Sequence, residues 1–219
     1  MIAARGKLKT KEMQLTHLKL FLKHFVITQD EHDAENPFKP LPYEQMPHIG
    51  YVATLWVYEK LLCIAKSRQL LITWLFGGAF YLWDAMFKFG RLNIVVDKKE
   101  DDAEGTIERA RFIYKHLPEA MKTAIPAGCS PQGALGSYCK LAFPDNNSLI
   151  QGLPQNPDAI RKNTASNVLL DEMAFKEKAE ECYVACLPTV RGGGNLAVVS
   201  TPKGQNFFCK VYNDLGDKI

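Results

Sequence analysis

The sequence has little that would commit it to a membrane, a disulfide framework or a structural metal. Its longest apolar stretch, residues 70–83, is interrupted only by Thr73 and stops at Asp84. A helix needs about 20 such residues to span a bilayer, so the run reads as a buried helix and no membrane association is expected. The amino terminus is basic, but no apolar segment follows it, so no secretory signal is read there. Six cysteines (Cys63, Cys129, Cys139, Cys182, Cys186, Cys209) include no CxxC pair, and the histidines at 17, 24, 32, 48 and 116 are scattered. Zinc spacing is therefore absent, and reduced thiols in a cytosolic protein are expected, although Cys182 and Cys186 would share one helical face. Neither sign of charge dominates: 27 Lys and Arg against 24 Asp and Glu give a net charge of +3. Contact with nucleic acid would need a local patch or a part outside this chain. There is no internal repeat and no low-complexity segment.

What is present is a chain of 219 residues, 47% apolar and 23% charged, enough for one sizeable core. Leu18, Phe21, Leu22 and Phe25 recur at helical spacing and predict an amphipathic helix over 11–26. The polar, acidic, proline-bearing stretch 28–42 reads as a loop, and a helix is expected over 43–59. Strands are then expected at 61–65, 92–97, 166–172 and 196–200, and helices at 69–88, 101–117, after the 166–172 strand to about 187, and 205–214. Residues 139–153 read as a hairpin around Pro144-Asp145-Asn146-Asn147, and residues 122–137 as a mobile Gly/Pro/Ser-rich loop. "RGGGN" (191–195) precedes a strand, so it serves as a flexible connection and not as a phosphate loop. Apolar strands alternating with helices predict an α/β domain with a largely parallel sheet. A first segment, 1–40, holds the amino-terminal helix and a linker; 41–219 forms the main domain.

Three segments carry candidate chemistry. In "NVLLDEMAF" (167–175), apolar residues run directly into two acids at a strand's carboxyl end, where open α/β sheets bind ligands. Asp171 could hold Mg²⁺, and Glu172 could orient and deprotonate a water; acids at a helix start also favour the helix dipole, which is the plainer reading. In "IAKSRQLLITWL" (64–75), Lys66 and Thr73 flank a strand-to-helix junction, but the stretch has no glycine and lacks the GxxxxGK[ST] pattern. A long lysine at the loop's beginning could still reach phosphates; an ordinary basic βα turn is the alternative. In "VVSTPKGQNFF" (198–208), a strand ends in Ser200-Thr201, hydroxyls that could sense a γ-phosphate.

Taken in this order, the three segments resemble the ATPase domain of the large terminase subunit, the DNA-packaging motor of tailed bacteriophages. The resemblance covers roughly 40–212 and extends to "DKKEDDAEGTIERARFIYKHLP" and "PDAIRKNTASN". It implies a P-loop NTPase fold of the RecA-like ASCE class, a three-layer sandwich on a mainly parallel sheet, and ATP with Mg²⁺ as cofactors. By this resemblance Lys66 contacts the β- and γ-phosphates, with Ser67, Arg68 and Gln69 along the loop. Thr73 and Asp171 hold the metal, Glu172 is the catalytic base, and Ser200 and Thr201 couple hydrolysis to movement. Arg161, 11 residues before Glu172, matches an arginine finger that reaches a neighbouring subunit, and Gln45 matches a glutamine that reads adenine. The implied partners are double-stranded DNA, a portal protein, a small terminase subunit and further copies in a ring. The implied location is the cytoplasm of an infected bacterial host.

Two departures stand out. Leu71 occupies the place of the glycine that precedes the hydroxyl, which predicts a wider loop or weaker phosphate binding. Large terminases also carry a carboxyl-terminal RNase H-like nuclease with clustered acids, and residues 1–219 supply none, so no endonuclease activity is expected and the chain reads as a fragment. A helicase-like DNA translocase and a nucleotide-binding assembly module without turnover are the competing readings.

Overall fold

The computed structural model describes residues 10–30, 32–122 and 134–216. The basic first residues, most of the Gly/Pro/Ser-rich segment and Cys129 lie outside them. Helix α1 (Lys11–Phe25) begins at Thr10, whose side chain accepts from the Met13 amide, and buries His17, Leu18, Phe21 and Leu22. Residues 28–42 are not the plain loop expected from their polarity. Strands β1 (Ile27–Gln29) and β2 (Phe38–Pro40) pair antiparallel, Ile27 opposite Pro40, and Lys39 ties the intervening turn together through Asp30 at 2.7 Å and Asp33 at 3.0 Å. Three-residue strands are too short to show a period of two. Helix α2 (His48–Tyr58) starts later than expected, immediately after Pro47.

Beyond α2 the chain builds one seven-stranded sheet. Its strands are β3 (Leu61–Ala65), β4 (Leu92–Asp97), β5 (Leu135–Ser137), β6 (Lys140–Phe143), β7 (Ser148–Pro154), β8 (Asn167–Leu170) and β9 (Asn195–Ser200). The spatial order is β3-β9-β8-β4-β7-β6-β5, parallel from β3 to β7 and antiparallel for the last two. An additional strand, β9, therefore separates the strand that leads into the loop from the strand that ends in the acid pair. Between strands run α3 (Tyr81–Phe87), preceded by a π-helical stretch Trp74–Phe80, then α4 (Glu100–His116), α5 (Glu119–Lys122), α6 (Pro157–Arg161), α7 (Ala179–Arg191) and α8 (Phe207–Gly216).

Strand residues alternate between two cores because successive side chains point to opposite faces. Val95, Leu169, Ala197 and Val199 meet α1, α2, the 74–87 helix and α4 on one face. Ile94, Val96, Val168, Leu170, Leu196 and Val198 meet α6, α7 and α8 on the other. Coverage on both sides explains why β4, β8 and β9 read as continuous apolar runs. The 74–87 helix buries Phe76, Phe80 and Trp83 completely, each worth about 1.5–3 kcal/mol of transfer free energy. Its far end is anchored by the fully buried Asp84, which accepts from Arg91 Nε at 2.7 Å and Asn167 Nδ2 at 2.9 Å. Those residues stand at the beginnings of β4 and β8, so the helix's other end is fixed over the carboxyl edge of the sheet. Among the described residues no helix is long and apolar enough to cross a membrane.

Candidate active site

The loop after β3 begins with Lys66, whose amide still donates to Ser200 O at 3.0 Å and so extends the β3–β9 ladder by one residue. The chain then reverses through Gln69 (φ 65°) and Leu71 (φ 57°). This is left-handed backbone that L-residues adopt at a cost of roughly 1–2 kcal/mol each. Two contacts hold it there: Leu70 and Leu71 pack on the core, and His48 Nε2 hydrogen bonds with Leu70 O at 3.1 Å. The helix expected from residue 69 accordingly starts at Ile72. Leu71 adopts the conformation that glycine favours, so the missing glycine has not removed the bend.

The bend sets Thr73 in the first helical turn, where its hydroxyl donates to Asp171 Oδ2 at 2.7 Å. Asp171 is 2% exposed, and its other oxygen accepts from the Glu172 amide at 2.9 Å. Burial pushes its carboxyl above the ordinary value, more than the Thr73 hydrogen bond lowers it. Strand β8 ends at Leu170, short of the 172 expected, because Glu172 is left-handed (φ 47°) and turns the chain off the sheet. A short 3₁₀ turn, Met173–Phe175, follows before α7 begins. Glu172 Oε1 receives Lys66 Nζ at 2.7 Å, and Oε2 receives the Thr201 hydroxyl at 3.0 Å. Burial would raise the Glu172 carboxyl, but Lys66 and Thr201 together outweigh it and hold the group below its ordinary value. The lysine side chain is only 10% exposed, so it faces the acids and not bulk water.

These contacts border a cavity of about 650 Å³ at the carboxyl edge of the sheet, within the usual range for small-ligand sites. The loop supplies Arg68 and Thr73; Asp171, Glu172, Phe175 and Thr201 form the floor. Asp97, Lys98 and the start of α4, from Asp101 to Arg109, form the far wall. Ser200 lies behind the floor: its buried hydroxyl accepts from Ala174 N at 3.0 Å and donates to Thr201 O at 2.9 Å. Ser67 and Gln69 are exposed and outside the lining. Arg161, its side chain 53% exposed, sits on α6 paired with Asp158, and Gln45 is exposed in the turn before α2; neither lines the cavity.

The far wall is the part that sequence reasoning missed. Asp97 ends β4 beside Asp171, since Val96 pairs with Leu170, and the buried Lys176 reaches it at 3.4 Å. Burial raises the Asp97 carboxyl and lowers the Lys176 ammonium. The signal was available, because "LNIVVD" is also an apolar run that ends in an acid. Cys182 and Cys186 are buried free thiols, and among the described residues no group of three or more His, Cys, Asp or Glu is placed to hold a metal.

No protein-family model matches the sequence. Solved structures do match. The ATPase domain of the Thermus phage P74-26 large terminase superposes with a TM-score of 0.52 at 19% identity, over 69% of this chain and 63% of that one. The large terminase of bacteriophage HK97 gives 0.62 at 15% identity, over 94% of this chain and 41% of that one. The fold is that of phage large-terminase ATPase domains. It is a P-loop NTPase fold, a mostly parallel sheet with helices on both faces. A terminase from a thermophilic bacteriophage, solved in complex with ADP, aligns at 12% identity with a TM-score of 0.53, over 92% of this chain and 42% of that one. The chain thus spans less than two thirds of the length of each of these terminases.

Proposed function

We propose that this chain is the ATP-hydrolysing motor domain of a phage large terminase, driving double-stranded DNA into a procapsid. One observation carries the reading. Thr73, Asp171, Glu172 and Thr201 line one cavity, and Lys66, just outside that lining, joins them through Glu172; three distant segments thus meet as two linked contacts, Lys66–Glu172 and Thr73–Asp171. The shared fold and the ADP held by one of the similar terminases support it.

The donor set fits Mg²⁺. Thr73 and Asp171 offer oxygen only, and the buried Asp171 carboxylate accepts hydrogen bonds from two neutral donors, while the charges of Lys66 and Lys176 act on it without an ion-pair contact. Bound there, the ion would neutralise phosphate charge. Lys66 has two candidate partners, Glu172 and phosphate oxygens, and a triphosphate competes for the same Nζ. Transfer of Lys66 to phosphate releases Oε1 of Glu172 to orient and deprotonate a water, while Thr201 keeps hold of Oε2. The end of β9 is then mechanically joined to the base, which suits Thr201 for coupling, with Ser200 bracing the turn from behind. Arg68 lines the cavity and is assigned to the phosphates; Ser67 and Gln69 shape the loop's backbone.

On this reading Arg161 serves a neighbouring subunit of a ring seated on a portal. Its exposure, and a solvent-facing ion pair of the weak kind, leave it available for exchange. Gln45 precedes α2, whose His48 touches the loop, so an adenine contact from that side is sterically reasonable. A small terminase subunit and a host-cytoplasmic setting complete the proposal. Residues 1–40 form an amino-terminal element to the ATPase domain of 41–219, and no endonuclease activity is assigned to residues 1–219.

Phosphate release with Mg²⁺ and DNA, measured for wild type, Lys66→Ala and Glu172→Gln, tests this. Wild type should turn over, and Glu172→Gln should fall by about 10²–10⁴. If wild type is no faster than Glu172→Gln, even with portal present, the chain is a nucleotide-binding module without turnover.

A further inference from the structure

The cavity lining includes a cation that the loop motif does not supply. Arg109, half-buried on α4, lines the same cavity as Thr73, Asp171 and Glu172. Packing puts it there. Gly77 and Gly78 let α4 lie directly on the helix that follows the loop: a Cβ at Gly77 would come 2.1 Å from Thr106 Cγ2, and one at Gly78 would come 3.5 Å from Arg109 Cβ. The guanidinium lies 5.8 Å from the Trp74 ring centroid, and Nη1 donates to Thr106 Oγ1 at 3.3 Å. Trp74 directly follows Thr73. The helical turn that aims the hydroxyl at Asp171 therefore also carries the ring against which the guanidinium rests.

The chemistry of the wall gives this arginine a task. Asp97, Asp101 and Asp102 line the same side with Lys98 as the other cation beside Arg109, so without Arg109 that wall would be strongly net negative and repel a polyphosphate. A planar guanidinium offers five donors in a fixed fork that matches phosphate oxygens two at a time. Arg109 rests on Trp74, the residue after Thr73, and so neighbours the Thr73–Asp171 pair, where the terminal phosphate would lie on the nucleotide reading.

We propose that Arg109 is a substrate-contacting residue supplied by the same chain, which engages the terminal phosphate of ATP and makes the site hold ATP in preference to ADP. The proposal rests on the nucleotide reading of the site given above.

The test titrates ADP and a non-hydrolysable ATP analogue, each with Mg²⁺, into the full chain as wild type, Arg109→Gln, Arg109→Lys and Lys66→Ala, with thermal melts confirming that each is folded. Arg109→Gln should weaken the triphosphate analogue about 10-fold or more, and ADP by less than about 2-fold, as loss of a charged hydrogen-bond donor to one phosphate requires. Arg109→Lys should recover part of the affinity, since it keeps charge but not the fork. Unchanged binding of the triphosphate by Arg109→Gln, or an equal loss for both nucleotides, overturns the proposal. Should Arg109→Gln not fold, Arg109→Lys decides alone: a triphosphate preference lowered about 3-fold or more supports the role of the fork, and an unchanged preference overturns it. If wild type takes up neither nucleotide, the reading of the site fails and this proposal with it. If wild type binds both, Lys66→Ala binds neither and Arg109→Gln matches wild type, the site stands and Arg109 alone is excluded.

Discussion

Replacing Gln69 by glycine and, separately, by alanine isolates the cost of a phosphate loop built without glycine. Gln69 is exposed and has φ 65°, so its side chain contributes little packing while its backbone is left-handed. An L-residue loses roughly 1–2 kcal/mol in that conformation. Alanine keeps that penalty; glycine removes it but adds about 0.5–1 kcal/mol of unfolded-state entropy. The two terms leave Gln69→Gly between neutral and about 1.5 kcal/mol more stable than wild type. Gln69→Gly should also exceed Gln69→Ala by up to about 1.5 kcal/mol, the reverse of their order in ordinary helix or strand. Urea denaturation at fixed pH reads this directly, and a scan should show a gap of about 2–4 °C per kcal/mol for a chain of this size. If Gln69→Ala is as stable as Gln69→Gly or more so, the loop does not hold a left-handed residue there, and the account of how a glycine-free loop keeps its bend fails.

Two further outcomes follow from the packing and the charges. Gly77→Ala should cost about 1–3 kcal/mol by overpacking against Thr106, and Thr106→Ser, which deletes the clashing methyl, should restore most of it in the double variant; equal stability of Gly77→Ala and wild type would show that α4 sits further away. Glu172 is held below the ordinary carboxylate value by Lys66 and Thr201 against the opposing effect of burial. Its ion pair therefore adds stability that is fully present above about pH 4.5 and is lost as pH falls through the depressed folded-state value. The stability gap between wild type and Glu172→Gln, followed by urea melts from pH 7 to 3, should be flat at first and then close. A gap that widens on acidification would contradict the pairing.

The sheet was legible because its central strands are covered on both faces. "LNIVVD", "NVLL" and "LAVVS" are apolar but for Asn93, Asp97, Asn167 and Ser200, so their positions follow from composition; "LLCIA", at the sheet edge, is an equally short apolar run. The hairpin of β1 and β2 was not legible: three residues with a proline at one end carry no period, and the pairing depends on Lys39 bridging two acids. The helix after the loop is apolar all round, so nothing in its pattern fixes where it starts or marks the π-helical stretch. Of the site, the residue types were readable at the strand ends, but the contacts were not. Lys66 and Glu172 are 106 positions apart, and their meeting depends on β9 lying between β3 and β8 and on the left-handed turn at Glu172. Arg109 gave no sequence signal, since a helical arginine ordinarily faces solvent; its place depends on two glycines in another helix.

The central claim is that Lys66, displaced to the front of the loop, exchanges Glu172 for phosphate. A crystal structure of the chain with Mg²⁺ and a non-hydrolysable ATP analogue tests it most directly. The account predicts Lys66 Nζ about 2.7–2.9 Å from a β- or γ-phosphate oxygen, with Glu172 Oε1 turned toward a water. A bound nucleotide whose phosphates leave the Lys66–Glu172 pair intact would contradict it.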